Sequence, residues 1–112
     1  MDYNENEANE GRTFAIVAYI TIIGTVIAYF MNRDKNNSFV VFHVRQALGL
    51  WLLQFLLGYF IGAFNSWMVT MSFWIVFIVL FIYGIIGAAS GKRNEVPILG
   101  PFFQKLFSSL GN

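Results

Sequence analysis

Two stretches of the chain, Thr13 to Met31 and Ser66 to Ala89, carry no Asp, Glu, Lys or Arg. Each is about as long as a helix that crosses a bilayer, which takes ~20 mainly apolar residues. A third apolar stretch, Ala47 to Phe64, is broken only by Gln54, and the mixed segment FVVFHVRQAL leads into it. Between the stretches lie a polar linker, Asn32 to Ser38, and a very short turn at Asn65-Ser66. The linker is rich in Asn, a turn former, and Ser38 is placed to cap the helix that follows. Helices joined as tightly as those around Asn65 must be antiparallel neighbours. Near the end, Phe102, Phe103, Leu106, Phe107 and Leu110 recur at helical spacing on one face, with Gln104, Lys105, Ser108 and Ser109 elsewhere.

The pattern predicts an all-α integral membrane bundle. It has three transmembrane helices, over about 13–31, 39–64 and 67–89, within a membrane domain of 13–98. A short amphipathic helix in 99–112, too short to span, lies on the membrane or docks on the bundle. Residues 1–12, MDYNENEANEGR, read as a disordered acidic tail. They lack the basic start of a signal peptide.

Composition supports this partition. Apolar residues make up 57% and charged residues 12% of the 112, against about 25% charged in an ordinary soluble domain. A globule of this size could not bury so much apolar surface. With three spans, Arg12 falls on one side, and Arg33, Lys35, Arg45, Lys92, Arg93 and Lys105 on the other. Lys and Arg are retained in the cytoplasm. The expected arrangement is a bacterial plasma-membrane protein with its N-terminus outside and its C-terminus cytoplasmic.

Chemistry has few candidates. There is no Cys, so thiol catalysis and thiolate metal sites are excluded. One His, with no acid in a span to orient it, makes neither a catalytic set nor a metal site. No basic patch suggests nucleic acid. The chain therefore reads as non-enzymatic, without cofactor or metal.

The informative residues lie along the second helix, where His43, Gln46, Ala47 and Gln54 share a face that Gly58 continues. Gly58 and Gly62 form a small-xxx-small pair, which lets helix backbones approach closely. Arg45 points away and is placed to reach lipid headgroups. Matching small residues occur in the first span, at Ala18, Thr21, Thr25 and Ala28, and at the end of the third, at Gly84, Gly87, Ala88 and Gly91. The expectation is close packing of the second and third helices there, with His43 and Gln46 inside the contact. The stripe is either a polar path or substrate contact, or a set of hydrogen bonds that holds the bundle together.

The stretch NRDKNNSFVVFHVRQALGL, with Phe42, His43, Gln46, Ala47 and Leu48, resembles the bacterial Tic20-like (DUF4870) family, relatives of the chloroplast inner-envelope protein-import component. Gly91, Val96 and Pro97, and the segment AYITIIG, fit the same pattern, over roughly 13 to 103. The resemblance implies a helical membrane protein and, for plastid members, part of a preprotein-conducting channel with four spans. Three functions follow as expectations: a component of protein translocation or membrane-protein assembly, touching other membrane proteins or a translocating polypeptide; an accessory protein binding lipid or a larger complex through its C-terminal helix; and a homo-oligomeric ion or small-solute pathway.

Overall fold

The computed structural model describes the backbone of residues 2–110 and the side chains of residues 6–110. Met1, Gly111 and Asn112, the ends of the two expected tail segments, lie outside the described residues. All regular structure among the described residues is helical: α1 Asp2–Ile20, α2 Ile22–Met31, α3 Ser38–Ala63, α4 Trp67–Ala89 and α5 Leu99–Leu106.

The first apolar stretch does not span. It breaks at Thr21, where the backbone is extended (φ −149°, ψ 163°) and the side chain caps α2 by accepting from the Gly24 amide. The chain then reverses. Glu7, early in α1, is bonded to Ser38 at the start of α3, while Tyr19, near its end, meets His43. α1 therefore runs parallel to α3. α2 comes back, so that Asn32, one residue beyond it, bonds to Asn37 at the level of Glu7. The apolar part of α1 and the whole of α2 are each about half a bilayer long, at ~1.5 Å per residue against a ~30 Å hydrocarbon core. Together they form a helical hairpin of re-entrant proportions.

Such a tip requires partners, because backbone polar groups in a bilayer core find no water. The Thr25 hydroxyl donates to the Ala18 carbonyl (2.5 Å), and the Trp51 indole N–H reaches the same oxygen (3.4 Å). Gly24 permits the approach: a Cβ there would stand 2.2 Å from the Val17 carbonyl oxygen.

Two helices, α3 and α4, are long and apolar enough to cross a membrane. They are joined at Asn65, which adopts φ 51°, a conformation that Asn tolerates better than most residues. The first stretch is thus a correction to the three-span expectation. Residues 2–12 correct a second expectation. They are helical rather than disordered, because Ala8 and Gly11 bury one face of α1 and Glu7 finds partners on α3. A third correction concerns Ser38: the cap of α3 is Asn37, whose side chain accepts from the Phe39 and Val40 amides.

α5 docks on the bundle. A strained turn precedes it, with Ile98 at φ 69° and the Leu99 amide bonded to the Pro97 carbonyl. Phe103 then buries its ring where Gly49 leaves room on α3, and Gln104 donates to the Phe42 carbonyl.

The start of α1, the 32–37 linker and the segment after α4 therefore gather at one end of the molecule, since Glu7 bonds both Ser38 and Arg93. The expectation that the N-terminal segment lies at the opposite end of the bundle from the C-terminal segment is not met. Because the chain has no Cys, sidedness is directly measurable. Single cysteines at Glu10, Asp34 and Ser109 are expected to react with a membrane-impermeant maleimide from one side, and a cysteine at Asn65 from the other. Reaction of position 10 from the side of position 65 would restore the three-span arrangement.

Candidate functional site

The side chains expected on one face of α3 meet α1 and the segment after α4 at the charged end. His43 and Gln46 are fully buried, and Tyr19 nearly so. Lys92 offers its backbone carbonyl 2.9 Å from His43 Nε2. A carbonyl only accepts, so Nε2 carries the ring proton and Nδ1 is the acceptor. The Tyr19 hydroxyl donates to Nδ1 (2.6 Å) and accepts from Gln46 Nε2 (2.8 Å). Gln46 Nε2 also reaches the Asn94 carbonyl (3.2 Å), and Gln46 Oε1 accepts from the Val96 amide (2.7 Å). Every polar atom of these three side chains has a partner.

Aromatic edges enclose the imidazole. Phe39, Phe42 and Tyr19 stand 4.7, 4.9 and 5.5 Å from its centroid in T-shaped arrangements. The small residues of α4 make room for this. A Cβ at Gly84 would lie 2.5 Å from the Tyr19 ring, and Gly87 faces His43. The expected contact of α3 with α4 around His43 is thus shared with α1, whose Tyr19 lies between them.

The other expected residues are placed differently. Ala47 is fully buried. Gln54 is largely buried and lines a groove with Tyr19, Trp51 and Phe77. Gly58 faces Phe73 at ordinary van der Waals distance, and Gly62 has open space where a Cβ would be. The small-xxx-small pair therefore brings no backbones together within this chain. Arg45, expected to reach headgroups, donates to the Ser108 and Leu110 carbonyls, tying down the end of the α5 segment.

An outer layer covers the network. Glu7 Oε1 accepts from the Ser38 hydroxyl (2.5 Å) and pairs with Arg93 (3.0 Å), whose guanidinium also lies over the Phe39 ring. The Ser38 hydroxyl, then its amide and Arg93, hold the Glu7 carboxyl below the ordinary value of 4.5 against the opposing effect of burial. Asn32 and Asn37 close the linker with two reciprocal bonds (3.1 and 3.0 Å).

Tyr19, Glu7 and Arg93 belong to the site but are not among the residues expected from the sequence. For Tyr19 a signal existed: a buried tyrosine hydroxyl needs a partner, and Tyr19 sits in an apolar run beside His43's level. For Glu7 and Arg93 there was none, because their meeting depends on the reversal at Thr21.

A model of the magnetosome magnetite crystal formation protein family matches residues 10–103. The chain belongs to that family, which makes it a small membrane protein of magnetosome formation. No curated protein and no solved structure matches it. The family match corrects the Tic20-like resemblance and, with it, the expectation of protein import. The shared His-Gln segment builds a helix-packing network, and such a network does not specify a translocation activity.

Two outcomes are expected. Tyr19→Phe removes both the donor to His43 and the acceptor of Gln46, and is expected to cost about 1–3 kcal/mol, read as a lower unfolding temperature in detergent. No change would mean that the network bears no load. A folded-state carboxyl held low stabilises fully above its unfolded value and loses that contribution as pH falls through the folded one. Protection of the α1 amides around Glu7 is thus expected to fall as pH drops below about 4.5. Glu7→Gln should lack this change. An unaltered pH response in Glu7→Gln would assign it to another group.

Proposed function

We propose that this member of the magnetosome magnetite crystal formation family is a non-enzymatic accessory protein of the membrane that encloses the growing crystal, anchored by the α3–α4 hairpin with its charged end in the cytoplasm. One observation carries the reading: all seven Lys and Arg, and every described Asp and Glu, lie at the end opposite the Asn65 turn. Positive residues are retained on the cytoplasmic side. What the chain then offers to the far compartment is the turn Phe64-Asn65-Ser66-Trp67, which has no carboxylate to bind iron or a mineral face.

The chain therefore acts through the bilayer and through membrane-protein partners at its charged end. The closed Tyr19–His43–Gln46 network supports a structural part for the His-Gln pair. Each of its polar atoms already has a partner within the chain.

The test is made in a magnetite-forming cell lacking the chain. The restored protein is expected to co-purify with magnetically isolated vesicles and to return crystals to normal size. His43→Gln, provided it accumulates to the normal amount, should restore them as well. Failure of a His43→Gln protein that is abundant and unfolds in detergent at the same temperature as the unaltered chain would contradict a purely structural part for His43. Absence of the protein from those vesicles would contradict the location.

A further inference from the structure

The hydrocarbon-facing cross-section of this molecule changes along its length. At the charged end α1, α2, α3 and α4 run side by side, and α5 adds a fifth element through Phe103. No residue of α3 beyond Gln54 is buried, and no residue of α4 before Phe77. The tip of the re-entrant hairpin ends at that level, where Ile20, Trp51, Gln54, Phe55, Phe77 and Ile78 line an open groove. Beyond it α3 and α4 continue as a bare pair. From Gln54 to Ala63 the pair extends about 14 Å, at ~1.5 Å per residue, which is close to one leaflet of a ~30 Å core. One leaflet thus receives four or five helices and the other receives two.

Nothing among the described residues covers the region beneath the hairpin tip. Its walls are apolar, with Phe55, Leu56, Trp74 and Ile75 each about half exposed, so lipid acyl chains fill it. α2 likewise turns Ile23, Val26, Ile27 and Phe30 outward. Those side chains suit hydrocarbon in the same leaflet. The hairpin is held as a wedge by bonds that do not depend on lipid: the Ala18 carbonyl is occupied by Thr25 and Trp51, and Asn32 is locked to Asn37.

We propose that the chain is a curvature-selective membrane wedge, which partitions into strongly curved bilayers with its broad, charged end in the convex leaflet. A body wider in one leaflet than in the other relieves packing stress where that leaflet is the more expanded one, and creates it where the leaflet is compressed. Charge gives the same orientation independently. All seven Lys and Arg are at the broad end, and their retention on the cytoplasmic side puts that end in the convex leaflet of any small vesicle or invagination inside the cell. The inference rests on shape and does not depend on the role in crystal formation.

The experiment uses the full chain, labelled with a fluorophore at Ser109→Cys. It is reconstituted into phosphatidylethanolamine–phosphatidylglycerol vesicles prepared with a wide range of diameters. An aqueous quencher separates molecules whose label faces outward from those whose label faces inward, vesicle by vesicle. The density of outward-facing molecules is expected to rise severalfold from the largest to the smallest vesicles, and that of inward-facing molecules to fall. The opposite trends of the two orientations provide the control, since a general preference for small vesicles would move both the same way. Equal density at all diameters, or parallel trends in both populations, would overturn the proposal. Loss of crystal control in the cell alongside intact curvature sorting would leave the wedge standing and refute only the proposed function.

Discussion

The Tyr19 hydroxyl stands between His43 Nδ1 and Gln46 Nε2, at 2.6 and 2.8 Å, and through these bonds three separate segments share one place. α1 supplies the tyrosine, α3 the histidine and glutamine, and the stretch after α4 supplies the Lys92 and Asn94 carbonyls and the Val96 amide. In hydrocarbon the hydrophobic effect does not hold helices together, so packing and interhelical hydrogen bonds decide which helices stay in contact. Here they determine that α1 lies against α3 down to Tyr19 and no further. The reversal at Thr21, the return of α2 and the half-depth of the hairpin all depend on that position.

The constraint has a second side at the hairpin tip. A broken helix at mid-membrane would leave carbonyls unpaired, at a cost of several kcal/mol each. Thr25 and Trp51 remove that cost at Ala18. The same residues make the molecule asymmetric across the bilayer. Satisfying the backbone locally allows the chain to stop halfway, which a span without such partners could not do.

Much of the fold was legible in the residues themselves. The bounds of α4, Trp67–Ala89, follow from an uninterrupted apolar run between a short turn and a Gly-Lys-Arg stretch. The inward aspect of His43, Gln46 and Ala47 was equally plain from spacing, whereas the apolar face expected for the C-terminal segment holds only in part: α5 ends at Leu106, Phe103 is buried, and Phe102 and Leu106 stay exposed. The hairpin was not, because hydropathy is indifferent to whether 19 apolar residues cross once or go in and return. Its signals are local: Thr21 as a cap three residues before Gly24, inside a run crowded with β-branched side chains. They were outweighed by the length of the run. The polarity of the ends failed for the same reason, since each reversal inverts every side assignment that precedes it. The misplaced family resemblance rested on the Phe-His-x-x-Gln-Ala-Leu segment. That segment encodes an interhelical staple, and a staple can serve membrane proteins of different function.

The central claim is that the first apolar stretch enters the membrane and returns. The most direct measurement is the distance between spin labels at Glu10→Cys and Lys35→Cys in the protein reconstituted in a bilayer. The separation is expected to fall well short of the ~30 Å hydrocarbon core, because Glu7 and Ser38 are in contact. A separation of ~30 Å or more would put the two positions on opposite faces of the membrane, and would contradict the hairpin, the single charged end and the wedge together.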